Sequence, residues 1–135
     1  MRIVVLAVGR LRPPFSDDVA HYEKLLSRHA RLEVIEVDED ERLARRLPPR
    51  AHIVLLDEGG VSYDSAGFAR WLEQRRQSGL DLAFVIGGPF GTRMDDHHHR
   101  LSLGPLTLPF QLARVVLLEQ LYRAHKIIAR EPYHY

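Results

Sequence analysis

Short apolar runs that stop at glycine or proline constrain the fold of this chain more than any other feature. The first run, Ile3–Val8, has six consecutive apolar residues and is followed by Gly9. A run of this length without a polar side is typical of a strand buried on both faces of a parallel sheet. The second run partly alternates, which favours a place near the sheet edge. We predict strands over residues 3–8, 32–37, 52–57, 82–86 and 100–103.

Helix signals separate these predicted strands. Ser16, followed by two aspartates, is placed to cap one helix, and Asp64 or Ser65 is placed to cap another that ends at Gly79. Strands that alternate with helices indicate an α/β fold, with a parallel sheet that has helices on both of its faces. We predict helices over residues 16–29, 64–77 and 110–130, with shorter ones over 39–47 and 93–99.

Composition excludes several classes of protein. The chain has 135 residues, so we expect one domain over residues 1–135. Cysteine is absent, which excludes a disulfide scaffold, a thiolate metal site and a cysteine nucleophile. Because no apolar run is long enough to span a bilayer and the first residues lack a signal-peptide pattern, we expect a cytoplasmic protein without a membrane segment.

The run Asp95-Asp96-His97-His98-His99 invites a metal assignment. Consecutive residues of a helix point about 100° apart, so three neighbouring imidazoles cannot converge on one ion. We therefore predict a solvated surface turn and no metal site.

Glycine and proline gather at the predicted strand ends, which is where ligands bind in open parallel sheets. Gly87–Gly91 matches neither a dinucleotide fingerprint nor a P-loop, so a tight turn and a ligand loop both fit. Gly104–Pro109 is a stiff apolar loop before the last helix. It fits either a site for an adenine-like ring or a packed connector.

The last predicted helix carries Arg123, Lys126 and Arg130 on one face and apolar residues over much of the rest. An apolar surface of that size favours a subunit interface. The tail that follows contains Tyr133 and His134, which suit base stacking and proton transfer, although a frayed terminus fits as well.

The formal net charge is +1, which by itself argues against a nucleic-acid partner. Its distribution is uneven, because residues 1–67 carry a net charge of −2 and residues 68–135 carry +3. Both a weakly polyanion-binding second half and a chance asymmetry fit these values.

Taken in order, several segments resemble the RlmH family of large-subunit ribosomal RNA methyltransferases, which are small members of the SPOUT class. The matching segments cover nearly the whole chain at consistent spacing. They are Ile3–Gly9, Ile53–Asp57, Phe84–Gly91, Leu106–Pro109, Arg114–Val115, Glu119–Ala124 and Pro132–His134.

The resemblance implies a SPOUT-type α/β fold with a deep C-terminal trefoil knot, a homodimer, and S-adenosylmethionine as cofactor. It implies methylation at N3 of a pseudouridine in 23S ribosomal RNA within the assembled 70S ribosome. The residues that it assigns to the target base are Tyr133 and His134, and Arg123 is a candidate for contact with RNA phosphates. The residues that it assigns to the cofactor are Leu56, Gly88, Gly104, Pro105, Leu106, Thr107, Leu108 and Pro109.

The sequence departs from the family at three places. Phe90 stands where a charged or small residue is usual, Tyr135 stands where the family continues with a basic or polar residue, and the segment around residues 38–50 is shorter. Other readings that stay open are a SPOUT methyltransferase with another RNA target, a ribosome-associated protein that keeps the fold without catalysis, and a generic nucleotide-binding module.

Overall fold

The computed structural model describes residues 1–88, 92 and 94–133. These residues form three α-helices and five strands, which correspond to the five strands and the three longer helices that the sequence predicts. The elements are β1 (Arg2–Val8), α1 (Phe15–Leu26), β2 (Arg31–Val37), β3 (His52–Val61), α2 (Ser65–Ser78), β4 (Leu82–Ile86), β5 (His99–Leu101) and α3 (Phe110–Ile128). Two short 3-10 turns, Asp40–Arg42 and Ala44–Arg46, lie between β2 and β3.

The five strands form one sheet in the order β2-β1-β4-β3-β5, and every neighbouring pair is parallel. The expected edge position of β2 is confirmed. All carboxyl ends of the strands therefore meet at one edge, which is where the glycine-rich and proline-rich segments begin. The deep trefoil knot stays a prediction from the family resemblance.

The sheet has a core on each face, because neighbouring residues of a strand point to opposite sides. Val5 and Phe84 face a cluster to which all three α-helices contribute buried side chains. Val4 and Val85 face a second cluster, which the segment with the 3-10 turns closes through the fully buried Leu43. The predicted helices on both faces are therefore found as α-helices on the first face only. The second face is covered by the segment with the two short 3-10 turns.

Two predicted helix details are wrong and one is confirmed. α1 begins at Phe15 after Pro14, so Ser16 lies inside the helix and does not cap it. Residues 95–97 have no regular structure, because the chain there runs toward β5: the His98 amide donates to the Ile53 carbonyl at 2.9 Å. Asp64 caps α2 by accepting a hydrogen bond from the Gly67 amide at 2.7 Å.

The pair Gly59-Gly60 lies within a strand. β3 extends beyond the predicted end at residue 57 and reaches Val61, which pairs with Leu101 after a register shift. A Cβ on Gly60 would lie 2.7 Å from the Arg100 carbonyl carbon, so this glycine permits the close approach of β3 and β5.

Candidate functional site

A cavity of about 610 Å³ opens at the carboxyl edge of the sheet. Its walls come from the ends of β3 and β4, the loop before α3 and the first turn of α3. The lining residues are Leu55, Leu56, Asp57, Glu58, Ile86, Gly87, Gly88, Thr92, Leu103, Gly104, Leu106, Thr107, Leu108, Pro109, Phe110 and Ala113. Its volume lies within the range of about 300–1,000 Å³ that is usual for small-molecule sites.

Seven of the eight residues predicted to hold a cofactor line this cavity. Leu56 comes from β3, Gly88 follows β4, and the other five belong to the loop between β5 and α3. The exception is Pro105, which lines an adjoining cavity of about 510 Å³ between that loop, α2 and α3. Of the segment Gly87–Gly91, the structure describes only Gly87 and Gly88. The other three residues, including Phe90, lie outside the described part, so the choice between a tight turn and a ligand loop stays open.

The loop over residues 102–109 has a defined backbone at its start. Gly104 has a φ of 128°, a conformation that side-chain-bearing residues rarely adopt. The buried Ser102 hydroxyl bonds to both backbone groups of Gly104, at 3.1 Å to its amide and 3.0 Å to its carbonyl. Leu106 follows with 79% of its surface exposed, so an apolar side chain lines the cavity without being covered.

Two carboxylates at the end of β3 were not among the predicted site residues. Asp57 accepts a hydrogen bond from the Gly59 amide and pairs with Arg100 at 3.0 Å. Glu58 is exposed on the same lining. Their position directly after a buried apolar run was the signal that could have found them.

Arg114 is a third residue that sequence reasoning missed, and it directly follows the lining residue Ala113 on α3. Its side chain is 1% exposed. Its Nη1 pairs with Glu36 at 2.6 Å, while its Nη2 donates to the carbonyls of Val8 at 3.1 Å and Gly9 at 2.6 Å. This guanidinium therefore joins α3 to the carboxyl ends of β1 and β2.

The predicted catalytic Tyr133 packs against α3 outside the cavity. Its hydroxyl donates a hydrogen bond to the Glu119 carboxylate, and the Arg123 guanidinium lies 4.0 Å from its ring centroid. Burial, followed by the hydrogen bond to Glu119, raises the pKa of Tyr133 to about 12. The tyrosine is therefore neutral at physiological pH and acts there as a hydrogen-bond donor. The other predicted catalytic residue, His134, lies outside the described residues.

The predicted basic face of α3 is mostly engaged in contacts. Arg123 pairs with Glu119 at 3.3 Å, and Lys126 pairs with Glu131 at 2.5 Å. Arg130 lies beyond the end of α3 with a φ of 57°. The RNA contact of Arg123 stays a prediction. The prediction that three cations share one face of this helix is wrong for Arg130, because α3 ends at Ile128.

The histidine run differs from the predicted solvated turn, because two of its three side chains pack against aromatic rings. His99 stacks on Trp71 at 5.3 Å between ring centroids and bonds to the Tyr63 hydroxyl at 3.0 Å, and His98 stacks on His52 at 5.1 Å. Burial lowers the pKa of His99 and, with the nearby Arg75, that of His52 to about 4. Within the described ranges, no cluster of side chains suits a metal ion.

A search of the helices in the described part finds none that is both long and apolar enough to cross a membrane.

Comparison with known proteins gives a consistent assignment. A family model described as "Predicted SPOUT methyltransferase" matches residues 1–134. Proteins named ribosomal RNA large subunit methyltransferase H are 44% identical in Gemmatimonas aurantiaca and 38% identical in Ruminiclostridium cellulolyticum, each over 99% of both chains. The one from Pelobacter propionicus is 40% identical over 100% of both chains. The alignment with the Gemmatimonas aurantiaca protein spans 153 positions, whereas this chain has 135 residues. The relative therefore contains residues that this chain lacks. The chain therefore belongs to the SPOUT methyltransferases and, within them, to the RlmH family.

Proposed function

We propose that this protein transfers a methyl group from S-adenosylmethionine to N3 of a pseudouridine in 23S ribosomal RNA, acting as a homodimer on the assembled 70S ribosome in the cytoplasm. The observation that carries the proposal is the meeting of seven predicted cofactor residues in one cavity at the carboxyl edge of the sheet. Family membership supports the reaction class, and the relatives' names support the ribosomal RNA substrate.

The cavity fits this cofactor chemically. Leu56, Ile86 and Leu108 offer apolar walls for the adenine ring, while the backbone groups of the loop before α3 offer hydrogen bonds to its edge. The exposed carboxylate of Glu58 suits the cationic part of the ligand, because the paired Asp57 is already neutralised by Arg100. When bound there, S-adenosylmethionine supplies an electrophilic methyl group.

The residues around Tyr133 suit the positioning of a target base. Methyl transfer requires the accepting nitrogen to be held in line at near-attack distance, and much of the rate enhancement comes from that positioning. The Tyr133 hydroxyl is oriented by Glu119, and its ring is held under Arg123. With a pKa of about 12, Tyr133 suits an orienting role. We assign proton removal from the imide nitrogen to His134.

The separation of Tyr133 from the cavity supports a site shared between two subunits. Ala113 lines the cavity, whereas Tyr133 bonds to Glu119 six residues further along α3. Six residues correspond to about 9 Å along the helix axis, and the side chains of Ala113 and Glu119 point about 120° apart around that axis. We therefore infer that the tail of one copy reaches the cavity of the other. The half-buried apolar residues Val115 and Val116 of α3 supply surface for such a dimer.

Net charge supports recognition of an assembled ribosome over bare RNA. With a formal charge of +1, one chain gains little from counterion release. A dimer places two weakly basic halves on one particle, and a folded ribosome adds shape and protein contacts. We expect bare 23S ribosomal RNA to bind weakly at physiological salt.

Two measurements test this function. Mass spectrometry of ribosomal RNA from a strain lacking the gene should show one pseudouridine of 23S RNA without its N3 methyl group. A missing methyl at another nucleotide would instead identify a SPOUT methyltransferase with a different target. Calorimetry should show S-adenosylmethionine binding at physiological concentrations. A folded dimer that does not bind it would be a non-catalytic ribosome-associated protein.

A further inference from the structure

The loop between β1 and α1 presents two exposed arginines at the carboxyl edge of the sheet. Arg10 and Arg12 follow Gly9 closely, and both are exposed. Across the described part of the chain, neither guanidinium makes a hydrogen bond or an ion pair. Their charge is therefore available to a partner.

The backbone that carries these arginines is fixed by the start of α3. Gln111 accepts a hydrogen bond from the Arg12 amide at 2.8 Å and donates one to the Arg10 carbonyl at 3.3 Å. Arg114 donates to the Gly9 carbonyl, and a Cβ on Gly9 would lie 3.1 Å from the Phe110 ring. Such a tethered loop loses little backbone entropy when a partner binds.

The carboxylate that contacts this loop is already paired with another cation. Glu36 accepts a hydrogen bond from the Leu11 amide at 2.7 Å, so its carboxylate lies against this loop. The same Glu36 oxygen pairs with the buried Arg114 at 2.6 Å, so the guanidinium of Arg114 compensates the negative charge of this carboxylate. In the part of the chain that the structure describes, Glu36 therefore leaves the Arg10 and Arg12 guanidiniums without a paired carboxylate.

The loop also adjoins the candidate site. Phe110, whose ring would meet a Cβ on Gly9, lines the large cavity, and a Cβ on Gly88 of that cavity would lie 3.3 Å from Val8. A polyanion that enters at this edge meets Arg10 and Arg12 beside the cavity rim.

We propose that Arg10 and Arg12 form a preorganised contact for RNA phosphates next to the cofactor cavity. This inference rests on the proposed function, since RNA is the polyanion that the proposed reaction brings to this edge. Guanidinium groups suit phosphate oxygens through charge and paired donors. Each phosphate that they neutralise releases counterions and adds to the salt dependence of binding.

The test measures binding directly, apart from methyl transfer. Ribosomes from a strain lacking the gene are titrated with the full-length protein by co-sedimentation between about 50 and 200 mM salt. R10A/R12A should bind roughly tenfold more weakly at low salt, and its log–log salt slope should be shallower by about 1 to 2. R10K/R12K should retain most of the slope, because lysine still supplies the charge.

R28A/R31A is the matched control, because it removes two exposed arginines, one after α1 and one at the start of β2, at the opposite edge of the sheet. It should bind as the unmodified protein does, and equal thermal melting of all variants should show intact folds. Equal salt slopes for R10A/R12A and R28A/R31A would overturn the inference. Methyl incorporation by the unmodified protein is scored in parallel. If R10A/R12A changes the salt slope but the unmodified protein transfers no methyl group, the proposed function is refuted and the phosphate contact stands.

Discussion

The Tyr133 hydroxyl donates a hydrogen bond to the Glu119 carboxylate and thereby holds the tail against the middle of α3. Arg123 completes the group, since it pairs with Glu119 and lies over the Tyr133 ring. This arrangement fixes the orientation of the tyrosine before any base arrives. It also separates the tyrosine from the cavity of its own chain, which is the reason for inferring a site shared by two copies.

Removing the Tyr133 hydroxyl should slow methyl transfer with little effect on folding. Y133F keeps the ring under Arg123 but loses the bond to Glu119, so we expect kcat to fall about 10- to 100-fold with the KM for S-adenosylmethionine unchanged. Steady-state kinetics on ribosomes measure both constants. Y63F is the control, because it removes a hydroxyl that bonds to His99 away from this group. If Y133F and H134A both transfer methyl at the full rate, the tail has no chemical role.

The pH dependence of the rate should show no ionisation of Tyr133 in the accessible range. Its pKa is raised to about 12, so the hydroxyl stays protonated from pH 6 to pH 10. The corresponding stability is present below pH 10, the usual tyrosine pKa, and is lost as the pH rises through about 12. Any inflection of log kcat between pH 6 and 9 should persist in Y133F and vanish in H134A. An inflection that Y133F removes would contradict the orienting role.

The backbone at Gly104 should control cofactor affinity. Its φ is 128°, and among the described residues other than its chain neighbours no atom lies within 4 Å of the place that a Cβ would take, so G104A strains the backbone without a clash. We expect a cost of about 1–2 kcal/mol, or roughly tenfold weaker S-adenosylmethionine binding by calorimetry. Gly79, with a φ of 77° and equally open space, caps α2 away from the cavity. G79A should lower stability but leave affinity unchanged. Equal affinities for both variants would remove the loop from the cofactor site.

Several parts of this architecture follow from local sequence and others depend on distant residues. The ends of β1 and β4 could be predicted because a buried parallel strand leaves an apolar run, and the cap at Asp64 because its partner is three residues away. The end of β3 could not, because its last residues include Gly59 and Gly60. Arg114 could not be identified, since an arginine in a helix is usually exposed and its partners lie 78 to 106 residues away. Pro105 lines the adjoining cavity and follows Gly104, whose positive φ spacing alone does not reveal.

Loss of the Arg114 guanidinium should destabilise the fold. In R114M, the carbonyls of Val8 and Gly9 lose their donor, and Glu36 loses its cation. A buried polar group left without its partner typically costs about 1–3 kcal/mol, so the midpoint of urea unfolding should fall markedly. E36Q retains an acceptor for the Leu11 amide and should cost less, because the Glu36 side chain is 38% exposed. A smaller loss in R114M than in E36Q would refute this ranking.

Acid should weaken the contact between His52 and its aromatic neighbours. Because the pKa of His52 is lowered to about 4, its stabilising contribution is present above pH 6.5 and is lost progressively as the pH falls toward 4. Thermal melting of H52Q should therefore depend less steeply on pH over this interval than that of the unmodified protein. Parallel curves for the two proteins would show that His52 does not carry this dependence.

The central proposal is tested most directly by incubating the protein with tritiated S-adenosylmethionine and either intact 70S ribosomes or bare 23S ribosomal RNA, both from a strain lacking the gene. We predict incorporation of close to one methyl group per ribosome, located at N3 of a pseudouridine in 23S RNA, and much slower incorporation into bare RNA. No incorporation into either substrate, by a folded dimer that binds the cofactor, would contradict the proposed function.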